Sequence, residues 1–205
     1  MKTPVLVGTL LLGMSVVIGC SVKQAYVGSP EPRVAERPPA VWEGEKVAIA
    51  VRPKTGAEES AAFGVDLHAR DILSMEIKLT YRDTLGKARI RIRRHDVRLS
   101  FSNGTERFAL DPGKIYERTR INVTGAALAF GLIGTMIASS SDKGRRGQFM
   151  EVAIQEKTVD AQQREAAGLL FFDMTGLGAV PPTACMVEYE ELSTGMTGTA
   201  VIALP

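Results

Sequence analysis

The chain holds two histidines, His68 and His95, and two cysteines, Cys20 and Cys185. Neither histidine has a second His, a Cys or a carboxylate at metal-ligand spacing in the sequence, so each is read as a surface or structural residue. No serine stands in a G-x-S-x-G elbow, and no Gly-rich loop leads from a strand into a helix in phosphate-binding register. Glu188, Glu190 and Glu191 crowd together. On an alternating strand, however, Glu188 and Glu190 share one wet face, and solvation accounts for them without acid/base work. Cys185 has no His and no basic residue within eight positions, so nothing local lowers its thiol pKa and a buried packing role is expected. These types and spacings assemble no catalytic constellation, no metal site and no cofactor site. The expectation is a protein that is not an enzyme.

One charged feature remains. Lys87, Arg89, Arg91 and Arg93 alternate along one strand face, and Arg98 joins them from the next strand. Like charges side by side destabilise a sheet unless something opposite compensates. Two compensations are open: the Glu188/Glu190 face of a neighbouring strand, or an anionic partner such as lipid head groups, a cell-wall polymer or an acidic protein. Nucleic acid is not expected. The net charge is only +2, and no aromatics interleave the basic residues for base stacking.

These residues sit on period-2 segments. Leu73, Met75, Ile77, Leu79 and Tyr81 alternate with Ser74, Glu76, Lys78, Thr80 and Arg82, as a half-buried antiparallel strand requires. Val47, Ile49 and Val51 alternate in the same way, as do Ala88, Ile90 and Ile92, then Val97, Leu99 and Phe101. Asn103-Gly104 marks a hairpin. Residues 168–174 are apolar on both faces, and strands follow at 187–190 and 199–204. Seven or eight short strands, with no regular helix before residue 121, predict an immunoglobulin-like antiparallel β-sandwich over residues 46–205. The composition, 45 % hydrophobic and 23 % charged, is that of a globular chain and excludes a disordered or collagen-like one.

The strand pattern breaks between Arg120 and Asp142, where 21 residues carry no charge. Ala127, Gly131, Thr135 and Ser139 recur every fourth position and would share one helix face on which another backbone could pack closely. A helix apolar nearly all round must be buried. The burial is against the sandwich, in a membrane or partner surface, or across a bilayer, and the last would split the sheet. With residues 149–154 returning as a second helix, the expectation is an inserted apolar helical hairpin at about 121–157.

The N-terminus supplies an address. Lys2 is followed by an uncharged, mainly apolar run from Pro4 to Gly19 that ends in Val17-Ile18-Gly19-Cys20. A single early lysine and about fifteen apolar residues describe a secretory signal, too short for a transmembrane span of about 20. The tetrapeptide resembles the lipobox of bacterial lipoproteins. That resemblance implies cleavage of a signal peptide at 1–19 and attachment of acyl chains, palmitate among them, to Cys20. Ser21, rather than Asp, implies sorting to the outer membrane of a two-membrane cell, facing the periplasm. Residues 20–45, with Pro30, Pro32, Pro38 and Pro39, read as a lipidated tether. The expected protein is a lipid-anchored, non-enzymatic binding or scaffolding module whose partner is an envelope protein or the cell wall. The alternative is a membrane-active, transport or assembly component acting through 121–141.

Overall fold

Residues 38–119, 144 and 146–205 are described in a computed structural model of the chain. Two antiparallel sheets pack over one core. The first sheet has the order β1 (Ala40–Glu43), β2 (Val47–Pro53), β3 (Ile72–Tyr81), β8 (Glu165–Asp173). The second contains β4 (Ile90–Arg93), β5 (Val97–Phe101), β6 (Glu106–Phe108), β7 (Glu156–Val159), β9 (Pro182–Glu191) and β10 (Met196–Ala203).

The odd residues of β3 predicted to face inward, Leu73 to Tyr81, are all buried, and Ile77 is fully so. They meet Ile90, Ile92, Val97, Leu99, Val187 and Ile202 of the second sheet. Strand β9 organises that sheet. One of its edges pairs with β10, while the other pairs with β5 over Pro182–Val187 and with β4 at Glu190–Glu191. Along the β4–β5 side the chain advances six residues, Arg91 to Val97, while β9 moves only three, Glu190 to Val187. The 3-10 turn Arg94–Asp96 takes up the difference, so β4 and β5 are two halves of one interrupted strand.

A second, smaller core lies on the outer face of the first sheet. The helices α1 (Gly56–Phe63), α2 (Pro112–Thr119) and α3 (146–152) cover the β3/β8 end there. Phe63, Phe149 and Phe171 pack with ring centroids 4.7, 5.8 and 6.1 Å apart, joined by Leu67, Ile72 and Ile115. Aromatic pairs of this kind are worth about 0.5–1.5 kcal/mol each beyond their burial. Local sequence makes α1 possible despite its eight residues: Thr55 and Glu58 form a capping box, and Gly64 ends the helix at φ +66°.

Three sequence expectations change. The tether expected over 20–45 ends earlier, because Ala40–Glu43 pairs with β2 and Trp42 stacks toward Tyr189 at 5.7 Å. Helices precede residue 121, since α1 and α2 cover an otherwise bare sheet face. Residues 149–154 are only partly helical: α3 stops at 152, Ile154 bonds to β8 through its backbone N–H, and Glu156–Val159 is a strand. The apolar first part of the expected hairpin, 121–141, with its face Ala127, Gly131, Thr135 and Ser139, lies outside the described residues, as do Cys20 and its signal. Among the described residues no helix is long and apolar enough to cross a membrane.

Candidate functional site

The outer face of the first sheet carries a groove of about 360 Å³. Ala167, Gly168 and Leu169 of β8 form its floor, and Ala62 and Phe63 of α1 stand opposite Glu151 and Val152 of α3. Its charged end is built by strand register. Arg52 faces Glu76 across β2 and β3, and the chain then turns at Lys54 into α1, whose first turn brings Glu58 back over both. Arg52 donates to Glu58 at 2.8 Å and to Glu76 at 2.9 Å, and Lys54 lies 3.5 and 3.1 Å from the same two carboxylates. Burial alone would push the Glu58 carboxyl up, but the Thr55 N–H, Arg52 and Lys54 together bring it down to about 2. Glu76 is also held below its usual value, chiefly by the bond from Arg52. Both carboxylates are therefore fixed anions. Glu151 adds a further, exposed carboxylate at the rim. Two cations, Arg52 and Lys54, match these two carboxylates, so the groove presents an apolar floor beside a paired charge cluster, with Glu151 as the exposed carboxylate at its rim.

Beneath the groove lies a polar group that no sequence pattern announces. Glu59, one turn inside α1, is 1 % exposed. It accepts from the backbone N–H of Leu67 at 3.1 Å, of His68 at 3.3 Å and of Ser74 at 3.2 Å, and from the Ser74 hydroxyl at 2.5 Å. Desolvation raises its pKa, and the Ser74 hydroxyl and the nearby His68 oppose that rise. His68 Nδ1 lies 3.9 Å from Glu59, and ligand atoms of Glu59, Asp66 and His68 fall within 4.8 Å of one another. These residue types could hold a metal, a grouping that the spacing around His68 in the sequence does not suggest. Their lone pairs, however, are directed elsewhere. Four donors occupy the Glu59 oxygens, and Asp66 Oδ1 accepts from the Ala69 N–H at 3.2 Å. The cluster acts as a peg that fixes the turn between α1 and β3.

The basic residues singled out from the sequence sit on the second sheet, and most are neutralised. Arg91 and Arg93 both bond Glu190, at 2.6 and 3.0 Å, and both lie within 4 Å of Glu156. The pairing holds Glu190 below its usual pKa, the Arg91 bond being the main cause. Arg91 Nε is buried without a hydrogen-bond partner among the described residues. Arg98 rests on the Met186 sulfur and approaches Glu106 and Glu188 at 3.7 and 3.6 Å. Arg89 is more exposed and 3.8 Å from Asp160, while Lys87 lies in the turn before β4 rather than on it. Of the two compensations left open by the sequence, Glu188 and Glu190 supply the first. Glu191 leaves the cluster by strand alternation, turning inward to meet Lys46 at 2.9 Å.

Cys185 is buried in the core at 1 % exposure, and desolvation pushes its thiol up to about 12. His95 stands in the exposed turn between β4 and β5, 3.3 Å from Asp96. A scan against known protein families finds no match to this chain, and a search of curated proteins finds none either.

Proposed function

We propose that this chain is a lipid-anchored protein of the bacterial envelope, acylated at Cys20, that works by binding or scaffolding rather than by catalysis. The observation that carries the reading is the charge-free run from Pro4 ending in Val17-Ile18-Gly19-Cys20. Two or three acyl chains, at about 0.8 kcal/mol per buried methylene, make such an anchor effectively permanent. The module carried on the anchor is an immunoglobulin-like sandwich, a reading supported by two antiparallel sheets over a common core. The groove beside α1 and α3 is its recognition surface. With Glu58 and Glu76 already paired to Arg52 and Lys54, its apolar floor of Ala167, Gly168 and Leu169 suits an apolar group on an envelope partner. By sorting, the protein lies at the outer membrane and faces the periplasm.

A second reading has its own observation. Residues 121–141 carry no charge, and the helices that flank them in sequence, α2 and α3, share one small core through Ile115 and Phe149. The packing of those flanks supports an apolar segment that touches a membrane or partner over one that makes a single crossing.

Metabolic labelling with palmitate tests the first reading. Label on the wild-type chain and none on Cys20→Ser supports it, and label surviving the substitution refutes it. Flotation with liposomes of the chain from Ser21 onward, which lacks the apolar signal, promotes the membrane form of the second reading, and absence of flotation removes that form.

A further inference from the structure

We propose that the free edge of β10 pairs with the same edge of a second copy, joining two second sheets into one continuous antiparallel sheet. The edges of the described sheets are not alike. β1 has four residues, follows Pro38-Pro39 and ends on Glu43. β6 and β7 are three and four residues long and carry Glu106, Arg107, Glu156 and Lys157. The outer edge of β8 is occupied, because its Leu169 and Phe171 carbonyls accept from the N–H groups of Ile154 and Leu110. Short strands, charges, prolines and covering segments are the means by which edges avoid foreign strands. β10 is neither short, charged nor interrupted by proline, and β1 of the first sheet, which lies beside it, forms no ladder with it. Met196–Ala203 is eight residues long, pairs with β9 without a bulge, and contains no charged residue and no proline.

The register identifies which groups are free. The Leu204 N–H bonds the Thr183 carbonyl, so the even residues of β10 direct their backbone groups toward β9. Thr197, Thr199, Val201 and Ala203 therefore direct N–H and C=O outward, where no described residue bonds them. Their side chains lie on the exposed outer face, with Val201 at 55 % exposure.

A second copy fits this edge by symmetry. A two-fold axis at Ala200 pairs Thr199 with the partner subunit's Val201, and Thr197 with the partner subunit's Ala203, in antiparallel register. All four outward residues are then used. Juxtaposing identical strands brings like charges together wherever a strand is charged, and this strand has none. Small and β-branched residues meet across the seam, a favourable cross-strand combination. The residue on the axis is alanine, which leaves the backbones room to approach.

The test uses the chain from Ser21 onward, which contains every described residue. Its mass is followed by sedimentation equilibrium across a wide concentration range. Dimers are expected, with amides of Thr197, Thr199, Val201 and Ala203 protected from hydrogen exchange only in the dimer. Val201→Lys places a charge on the seam, and Thr199→Pro removes one outward N–H without touching the β9 ladder. Each should weaken dimerisation about tenfold or more, a change of about 1.4 kcal/mol, while the monomer's melting temperature holds. A monomer at every concentration overturns the proposal, as does a dimer that neither variant weakens. Edge amides protected in the monomer also overturn it, since residues of the same chain would then cover the edge.

Discussion

Replacing Glu59 tests whether a buried carboxylate is what fixes the turn between α1 and β3. Glu59→Ala removes the acceptor for four donors, of which the Leu67 and Ser74 N–H groups lie in fully buried residues. A buried donor left unmade costs about 1–3 kcal/mol. The two buried N–H groups together therefore put the loss at about 2–6 kcal/mol, against a total stability of about 5–15. For a domain of this size that lowers the melting temperature by roughly 4–24 °C, at about 2–4 °C per kcal/mol. Glu59→Gln should fall between, since one amide oxygen still accepts from Leu67 and His68 but the amide nitrogen cannot accept from the Ser74 N–H. The pH dependence then separates acceptor from charge. Desolvation raises the Glu59 pKa above its unfolded value, so the folded state holds the proton more tightly. Its stabilising contribution is full below about pH 4.5 and falls as pH rises through the folded value. Urea unfolding of wild type and Glu59→Gln at pH 5 and pH 8 measures this directly. The wild type's lead over the glutamine variant should narrow at the higher pH. A lead that widens would refute the raised Glu59 pKa, and an alanine variant as stable as wild type would refute the peg.

Ile77→Asp, in the centre of the main core, should abolish cooperative unfolding, whereas Lys78→Ala on the next residue loses only an exposed pair with Glu165 and should cost under about 1 kcal/mol by the same urea assay. Gly168→Ala drives a Cβ to within 2.6 Å of Ile154 and 3.1 Å of the Val152 carbonyl, so calorimetry should show a loss of about 1–3 kcal/mol. Glu58, held down to about 2, contributes stability that is present above pH 4.5 and lost as pH falls through its folded value. Glu58→Gln should therefore flatten the acid limb of the stability curve between pH 4.5 and 2, read by circular dichroism.

The strands were legible wherever one face is wet. β3 alternates because its outward Glu76, Lys78 and Thr80 meet solvent or ion pairs, and every inward partner is apolar. Ser74 obeys the same alternation yet is fully buried, because α1 lies over it, and no residue near Ser74 announces a helix fifteen positions upstream. Helix α1 escaped the periodicity test because its buried side is Gly56, Glu59 and Phe63, which make no apolar stripe. The capping pair Thr55 and Glu58 was the available signal. The neutralisation of Arg91 and Arg93 was readable, since period 2 alone puts Glu188 and Glu190 on one face. The Glu59–Asp66–His68 cluster was not, because the left-handed turn at Gly64 folds the chain back between its members.

The central place of β9 also governs when this protein can fold. Its bonds to β4 and β5 join residues such as Arg91 with Glu190 and Arg98 with Met186, 99 and 88 positions apart. Neither half of the interrupted strand has this neighbour until β9 has emerged, and non-local pairing of this kind is slow even then. During synthesis β1, β2 and β3 can pair with one another and β5 with β6, but β4 and β5 stay open along the edge that β9 will fill. If the chain is exported as proposed, that gap keeps its second sheet incomplete until β9 has crossed the membrane.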